Sequence, residues 1–368
     1  KERGMELHFD WETRSSCDLK RAGLHNYAKH PTTDIWVAAF AFDDDPVEVW
    51  FPGQAIPLSI KEHIEKGLPL WGHNVAFEYE IWNNIARKKY GFPQLKIEQC
   101  FCSMALCYAM ALPGSLEKAA PALGLDKTKD LAGSRIMMKL CKPKEVLPDG
   151  TIVWHNDPED IKRLADYCKT DVEVERAIVK RLINLSPAER DLWLLDHKIN
   201  TRGVKVDLPS VTKAIEVVES EKDRLDQRMR VVTLNQVATC SANGQLTQWL
   251  NYMGVETDSV AAPRVLELLD FESLPDICRT ALKLRQEASK SSTAKLTMMR
   301  DGAGEDGRMR GLFQYHGSST GRWSGRRVQL QNLPRPKFTQ KIIDHIFEIF
   351  QQDPATASGL IDMLYASP

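Results

Sequence analysis

The chain has 368 residues, which is enough for two or three domains that each bury a hydrophobic core. Its 49 Lys and Arg balance 50 Asp and Glu, and 43% of its residues are hydrophobic, which excludes a largely disordered chain and a uniformly basic one. A site for a polyanion must therefore be confined to one part of the chain.

The chain contains no segment with the character of a membrane span or a secretion signal. Its longest apolar run, residues 104–112, is shorter than the about 20 residues that a membrane helix needs. We therefore expect a cytoplasmic protein with no membrane partner. The eight cysteines lack paired CxxC spacing, which predicts reduced thiols in the core.

Short aromatic and β-branched runs near the start of the chain predict strands, over residues 6–12, 34–42 and 46–51. Helical patterns are interleaved with these runs and follow them, over residues 57–65, 74–89, 103–110, 115–123 and 158–183. The last helix is the clearest, because Asp157 can cap it and Pro158 suits its first turn. This order predicts an α/β domain of about 185 residues.

The pattern changes after residue 187. A long charged helix is predicted over about residues 209–231 and another over 275–300, before a Gly-rich loop at 301–311. Between residues 279 and 341 the chain has 14 Lys and Arg but four acidic residues, a net charge of +10 in a chain whose total is −1. The sequence thus predicts a mostly helical second region and a concentrated basic stretch that suits a polyanion.

Two carboxylates end the first predicted strand, at Asp10 and Glu12. Side chains at i and i+2 of a strand point to the same face, so the two carboxylates are presented together. Because neighbouring carboxylates repel each other without a cation, the pair is a candidate ligand set for a hard divalent ion. Taken alone, such a pair at the end of a strand is more often a pair of solvated surface acids than a metal site.

Two further pairs have the i, i+4 spacing of one helix face. Asn74 and Glu78 form the first pair, and Tyr167 and Asp171 form the second. In this order and spacing, the three elements resemble the DEDD superfamily of 3′–5′ exonucleases, in the subgroup with Tyr four residues before the last Asp. The resemblance covers about residues 6–184 and implies a ribonuclease H-like domain, which is a mixed sheet flanked by helices.

The resemblance also implies roles for these residues. Two Mg²⁺ or Mn²⁺ ions would be held by four carboxylates and would activate a water for phosphodiester hydrolysis. Tyr167 would orient that water, because a phenol with a pKa near 10 is too strongly protonated to act as a general base. Glu78 departs from the family, which has Asp there, and we expect altered metal spacing without loss of activity. The metal ligands implied are Asp10, Glu12, Glu78 and Asp171.

A second motif lies in the basic stretch. Residues 319–327 read STGRWSGRR and residues 329–334 read QLQNLP. These residue types bind phosphates and minor-groove acceptors. The string resembles the TGR…LQN motif at the entrance to the palm of family A DNA polymerases, in its phage-type form. With the basic helix before it and the second exonuclease motif, it implies DNA contacts by Asn74, Lys290, Lys295, Arg322, Arg326, Arg327, Gln331 and Asn332.

The two resemblances predict three parts: an exonuclease domain at 5–185, a mostly α-helical thumb-like region at 186–311, and the start of a polymerase palm at 312–368. No match to the palm aspartates follows residue 336, so we expect the chain to stop before the polymerase catalytic motifs. We expect a metal-dependent 3′–5′ proofreading exodeoxyribonuclease that binds the 3′ end of single-stranded DNA and primer–template duplex.

Two alternatives remain open at this point. One is a ribonuclease D-like exoribonuclease with the same carboxylates, and the other is a non-catalytic DNA-binding module with a degenerate exonuclease fold. Digestion of DNA and RNA with and without Mg²⁺ separates them.

Overall fold

The computed structural model describes residues 5–126, 130–289, 293–333, 335 and 338–365. The chain forms two compact units. Lys1–Lys205 and Asp301–Leu333 make up the first, and Val206–Arg300 and Pro334–Pro368 make up the second. The segment that carries the TGR and LQN residues therefore folds with the amino-terminal part of the chain.

The first unit is built on a five-stranded mixed sheet in the order β3-β2-β1-β4-β5. β1 pairs antiparallel with β2, and β2 pairs antiparallel with β3, whereas β4 runs parallel to both β1 and β5. The strands are β1 (Leu7–Arg14), β2 (Asp34–Phe42), β3 (Glu48–Trp50), β4 (Leu70–Gly72) and β5 (Cys100–Cys102).

Helices flank this sheet. The described helices of the unit are α1 (Leu19–Ala22), α2 (Leu24–Lys29), α3 (Leu58–Glu65), α4 (Ala76–Ile81), α5 (Arg87–Tyr90), α6 (Ser103–Ala109), α7 (Leu116–Ala122), α8 (Leu131–Leu140), α9 (Pro158–Arg181) and α10 (Pro187–Arg202). A π-helical turn, Trp82–Ala86, joins α4 to α5, and 3₁₀ turns cover Ile97–Gln99 and Leu330–Asn332. Short strand pairs join β6 (Glu145–Val146) to β7 (Ile152–Val153), β8 (Val204–Lys205) to β9 (Arg308–Met309), and β10 (Phe313–Gln314) to β11 (Ser324–Gly325).

β1 is buried on both faces. Because side chains alternate along a strand, one face carries apolar residues and the other carries polar residues. The apolar face joins an aromatic core, in which the Phe9 and Trp11 ring centroids are 4.5 Å apart. The polar face meets α9, whose apolar side chains also pack on β2 through Val37, Ala39, Ala41, Leu164, Cys168 and Val172.

In its described residues, the regular secondary structure of the second unit consists of helices joined by turns and loops. Its helices are α11 (Leu208–Val232), α12 (Asn243–Tyr252), α13 (Ala262–Leu269), α14 (Asp276–Ala288), α15 (Ala294–Gly302, which runs on into the first unit), α16 (Gln340–Ile349) and α17 (Pro354–Tyr365). The main core contains Leu225, Met229, Leu246, Trp249 and Leu282. A mixed sheet flanked by helices, followed by a mostly helical region, confirms the predicted fold class.

Two predicted helices are wrong in detail. The helix expected at 74–89 begins at Ala76, because Asn74 has a φ of 68° and lies in the left-handed region, which Asn tolerates well. Asn74 and Glu78 therefore do not share a helix face. The single helix expected at 275–300 is two helices, since α14 ends at Ala288 and the amide of Ser289 donates to the carbonyl of Arg285.

The predicted domain boundaries at 185 and 311 stay predictions. In its packing, α10 belongs to the first unit, where Trp193 joins the aromatic core together with Tyr315. All eight cysteines are free thiols and six of them are buried. None of the helices in the described ranges combines the length and the hydropathy that crossing a membrane would require.

Candidate metal centre

The two carboxylates of β1 meet at one point. A carboxylate oxygen of Asp10, a carboxylate oxygen of Glu12 and the Sγ of Cys168 all lie within 4.8 Å of one another. The Cys168 thiol donates a hydrogen bond to Asp10 Oδ2 at 3.2 Å. A β-bulge follows between Glu12 and Thr13, a feature that often reorients side chains beside functional sites. The expected pairing of Asp10 and Glu12 is thus present in the structure.

Glu78 lies beside Gly72 of β4 and the Phe9 carbonyl of β1. A Cβ on Gly72 would lie 3.4 Å from Glu78 Cγ and 3.4 Å from the Phe9 carbonyl oxygen. Glu78 is 2% exposed, and its Oε2 accepts no hydrogen bond from any described residue. Burial, and then the charge of Asp10, raise the pKa of Glu78 well above its ordinary value. The ionised form of a fully buried carboxyl near other carboxylates is unfavourable without a compensating cation.

α9 brings Tyr167 and Asp171 to the same place. Tyr167 is 1% exposed, and Asp171 is also buried. The Tyr167 ring packs against α8, where a Cβ on Gly133 would come within 2.6 Å of Tyr167 Cδ2. Burial raises the pKa of Tyr167 far above its ordinary value, and the charges of Asp171 and the β1 carboxylates add to this effect. The phenol therefore keeps its proton at neutral pH and is a hydrogen-bond donor.

Three polar residues at this place were missed by sequence reasoning: His8, Cys168 and Glu175. His8 Nδ1 and Glu175 Oε2 are 2.6 Å apart, and each side chain is 3% exposed. The local signals were present, because His8 precedes Asp10 by two residues on the strand and Glu175 follows Asp171 by four residues on the helix. The pair lies close enough to the cluster for the Glu175 charge to raise the pKa of Glu78.

Ligand atoms of Asp10 and Glu12 lie within 4.8 Å of each other. Glu78, Tyr167 and Asp171 are close enough to this cluster for neighbouring charges to raise the pKa of Glu78 and of Tyr167. The group of ligand atoms within 4.8 Å contains neither Glu78 nor Asp171 of the predicted metal set. Carboxylate oxygens are the ligands that Mg²⁺ and Mn²⁺ prefer, so the Asp10 and Glu12 oxygens suit such an ion, whereas the Cys168 thiol does not.

The residues predicted to contact DNA differ in their solvent exposure and in their hydrogen bonds to the rest of the protein. Arg322 and Arg326 are exposed, as are Gln331, Asn332 and Asn74. Arg326 Nε donates to Gln314 Oε1 at 2.6 Å.

Arg327 differs from its neighbours. It is half-buried, and its Nη2 donates to the Arg21 carbonyl oxygen at 2.7 Å. Its Nη1 donates to the Ala22 carbonyl oxygen at 3.3 Å. Lys295 lies half-buried on α15 in the second unit, and Lys290 falls outside the described residues.

Comparison with known proteins gives one sequence relative and a distant structural likeness. No family model matches the chain. The DNA polymerase of Bacillus phage SP02 is 34% identical over 342 residues, which cover 90% of this chain and 51% of that protein. The chain therefore spans about half the length of this curated relative.

A solved structure of the POL domain of Pol1 from M. smegmatis, in complex with DNA primer–template and dNTP, matches with a TM-score of 0.48 and 12% identity, over 83% of this chain and 50% of that one. The sequence relationship to a phage DNA polymerase extends over nine-tenths of this chain, and it confirms the polymerase resemblance predicted from the motifs.

Proposed function

We propose that the first unit is a metal-dependent 3′–5′ exodeoxyribonuclease that serves as the proofreading part of a DNA polymerase. The observation that carries the proposal is the carboxylate cluster at the end of β1. Asp10 and Glu12 lie together there, and the buried Glu78 has a raised pKa because it is desolvated next to like charges. Divalent cations stabilise such a cluster.

The residues have separate tasks in this proposal. Asp10, Glu12, Glu78 and Asp171 would hold two Mg²⁺ or Mn²⁺ ions, and the Glu78 Oε2 without a partner among the described residues is one ligand atom that suits them. When bound, the ions supply an activated water and neutralise charge on the phosphate oxygens.

Two residues of α9 support this set. The Cys168 thiol orients Asp10 through its hydrogen bond. Tyr167 orients the attacking water and does not deprotonate it, because its raised pKa means that the phenol already holds its own proton at neutral pH.

The exposed basic side chains of the TGR segment support a second proposed role, which is binding of primer–template duplex. Arg322 and Arg326 are exposed and suited to phosphate oxygens, with Gln331 and Asn332 beside them in sequence. Arg327 is better assigned to holding the segment on α1, since its guanidinium is bound to the carbonyls at the end of that helix.

The test compares the wild-type chain with the Asp10→Ala, Glu12→Ala double variant. Substrates are 5′-labelled single-stranded DNA, primer–template with a mismatched 3′ end, and RNA, each with Mg²⁺ or EDTA. We expect shortening of DNA from the 3′ end only with metal. The double variant should lose about 1000-fold or more in rate, which corresponds to about 4 kcal/mol, and should lose Mn²⁺ binding in calorimetry.

The matched control is the Asp270→Ala, Glu272→Ala double variant, which removes an exposed Asp-x-Glu pair in the second unit. It should hydrolyse and bind metal as the wild type does. Preferential digestion of RNA would favour the exoribonuclease alternative, and DNA binding without digestion would favour a degenerate fold. Full activity of the Asp10, Glu12 variant would show that the metal ligands are misassigned.

A further inference from the structure

One carboxylate of α10 holds the loop that carries Arg322. This loop, residues 315–323, joins β10 to β11, and Glu189 lies in the first turn of α10. Glu189 Oε2 accepts a hydrogen bond from the Tyr315 hydroxyl at 2.5 Å and lies 3.4 Å from His316 Nε2. Two consecutive side chains of the β10–β11 loop therefore meet a single oxygen atom of α10.

Glu189 is itself fixed in the fold. Ser186 Oγ accepts a hydrogen bond from the Glu189 amide at 3.3 Å and caps α10, and Pro187 suits the first turn. The same helix places Trp193 in the aromatic core, where Tyr315 is 4% exposed. Burial, and then the hydrogen bond to Glu189, raise the pKa of Tyr315 above its ordinary value. The phenol therefore keeps its proton and acts as the donor to the carboxylate.

His316 extends this contact to the glycine of the TGR motif. The His316 and Tyr315 ring centroids are 4.4 Å apart. A Cβ on Gly321 would lie 3.4 Å from His316 Cε1 and 3.5 Å from His316 Nδ1, so the imidazole fills the space beside that glycine. His316 has a φ of 47°, in the left-handed region that is unfavourable for most residues with a side chain. The contacts of its ring with Tyr315 and Glu189 offset this cost.

The loop fixes the backbone of Arg322 and leaves its side chain exposed. The Gly321 amide donates to the Ser318 carbonyl oxygen at 3.0 Å, and the Arg322 amide donates to Ser318 Oγ at 3.1 Å. The Arg322 carbonyl oxygen accepts hydrogen bonds from the Ser318 amide and from Ser318 Oγ, each at 3.2 Å. A continuous series of contacts thus leads from Glu189 through His316 and Gly321 to the exposed side chain of Arg322.

We propose that Glu189 is a positioning residue for duplex binding, which fixes the β10–β11 loop in the conformation that presents Arg322 to the DNA backbone. The inference rests on the proposed duplex-binding role of the TGR segment and names the contact on which the geometry of that segment depends. Glu189 itself touches no DNA in this proposal. Because the loop is ordered before DNA arrives, binding loses less conformational entropy.

The direction of the effect separates positioning from a simple effect of charge. Glu189 is an acidic group in contact with a segment that is proposed to bind a polyanion. If Glu189 acted only through its charge, its removal would strengthen DNA binding. Loss of a positioning contact weakens binding, because Arg322 would have to be ordered when the DNA binds. Weaker binding after removal of this negative charge is therefore expected only from the positioning role.

Fluorescence anisotropy with primer–template duplex in EDTA measures binding without digestion. We expect Glu189→Ala to weaken binding about tenfold and to flatten the salt slope by up to about 0.9, the contribution of one phosphate contact. Glu189→Gln keeps an oxygen that accepts from Tyr315 and should bind within about threefold of the wild type.

The matched control is Asp191→Ala, which removes an exposed acid from the same helix and should bind as tightly as the wild type or more tightly. Unchanged or stronger binding by Glu189→Ala would overturn the proposal, and so would equal weakening by Glu189→Ala and Glu189→Gln.

A double-mutant cycle shows whether Glu189 acts through Arg322. Arg322→Ala alone should weaken binding about tenfold, and Glu189→Ala added to it should weaken binding at most about twofold further. Fully additive losses would overturn the proposal. Normal binding by Arg322→Ala would overturn the duplex-binding role of this arginine and the proposal with it. Weak binding by Arg322→Ala together with normal binding by Glu189→Ala would overturn the positioning role alone.

Hydrogen exchange in the absence of DNA gives a readout that does not depend on the proposed function. The amides of Gly321 and Arg322, which are both bonded to Ser318, should exchange about tenfold faster in Glu189→Ala, whereas amides of β1 and α9 should exchange as in the wild type. Tyr315→Phe keeps the buried ring and removes the donor, so it should produce the same local change. Unchanged exchange in both variants, or a uniform increase throughout the first unit, would overturn the proposal.

Discussion

Burial determines the protonation state of several polar side chains in the first unit. Tyr167 keeps its phenol proton because desolvation raises its pKa, and His197 stays neutral because desolvation lowers its pKa. Glu78 and Asp196 are both carboxyl groups whose pKa is raised mainly by burial. Because these residues have different partners, substitutions at Tyr167 and at Asp196 are expected to have different effects.

Tyr167→Phe removes one hydroxyl and keeps the ring that packs against Gly133. Because a donor that orients the attacking water is lost, cleavage should slow about 10- to 1000-fold in single-turnover measurements. The melting temperature should change little. A normal rate together with a lower melting temperature would indicate that Tyr167 serves packing alone.

Asp196→Asn should change how stability depends on pH. Burial raises the pKa of Asp196 from 3.8 to about 6. The folded state therefore binds the proton more tightly than the unfolded state, and stability is lost as pH rises from about 4 through 6, by about 3 kcal/mol. The variant should lack this loss, so its melting temperature relative to wild type should be higher at pH 7.5 than at pH 4.

The control for that measurement is Asp191→Asn, an exposed acid on the same helix, which should follow the wild-type curve. If Asp196→Asn and wild type show the same pH dependence of melting, the carboxyl of Asp196 ionises in the folded state as it does in the unfolded state.

At the scale of elements, the metal centre depends on one strand and one long helix. β1 supplies Asp10 and Glu12, and α9, 24 residues long, supplies Tyr167 and Asp171. The helix begins where the Asp157 side chain accepts a hydrogen bond from the Glu159 amide at 3.0 Å. The cap and the catalytic residues are separated by more than two turns, so stability and chemistry can be tested separately.

Asp157→Ala removes this cap and should lower the free energy of unfolding by about 1 kcal/mol. Metal-dependent cleavage at a temperature where the chain is folded should stay near wild type, because Tyr167 and Asp171 keep their packing. The control is Asp166→Ala, an exposed position within the same helix, which should change stability by less than about 0.5 kcal/mol. Equal destabilisation by both variants would argue against a capping role.

At the scale of the whole molecule, the near-neutral chain concentrates its basic residues in one stretch. From the sequence, Arg326 and Arg327 are both predicted phosphate contacts, worth up to about two units of salt slope together. In the structure, Arg327 donates to the carbonyls of Arg21 and Ala22. The structure therefore predicts that, of these two arginines, only Arg326 contributes to the salt dependence of binding.

Arg326→Ala should flatten the dependence of log affinity on log salt by about 0.9, measured with primer–template duplex. Arg327→Ala should leave that slope near wild type and should instead lower the melting temperature, because two hydrogen bonds to α1 are lost. If Arg327→Ala flattens the salt slope and leaves the melting temperature unchanged, Arg327 contacts DNA and does not hold the segment on α1.

Local patterns in the sequence predicted the parts of this protein that depend on neighbours in the chain. Strand alternation placed Asp10 and Glu12 on one face of β1, and helical spacing with an Asp-Pro start predicted α9 with Tyr167 and Asp171 side by side. The motifs also predicted the polymerase relationship that the phage relative confirms. These features need only backbone periodicity and the identity of a few residues.

Tertiary structure alone decided the contacts between distant segments. Glu78 lies beside Gly72 of β4 and the Phe9 carbonyl of β1, although Asn74 breaks the helical pattern on which its placement was predicted. Arg327 turns away from solvent because carbonyls some 300 positions earlier accept its hydrogen bonds. Such contacts depend on how elements that are distant in the chain pack together. The residue pattern within either segment does not specify that packing.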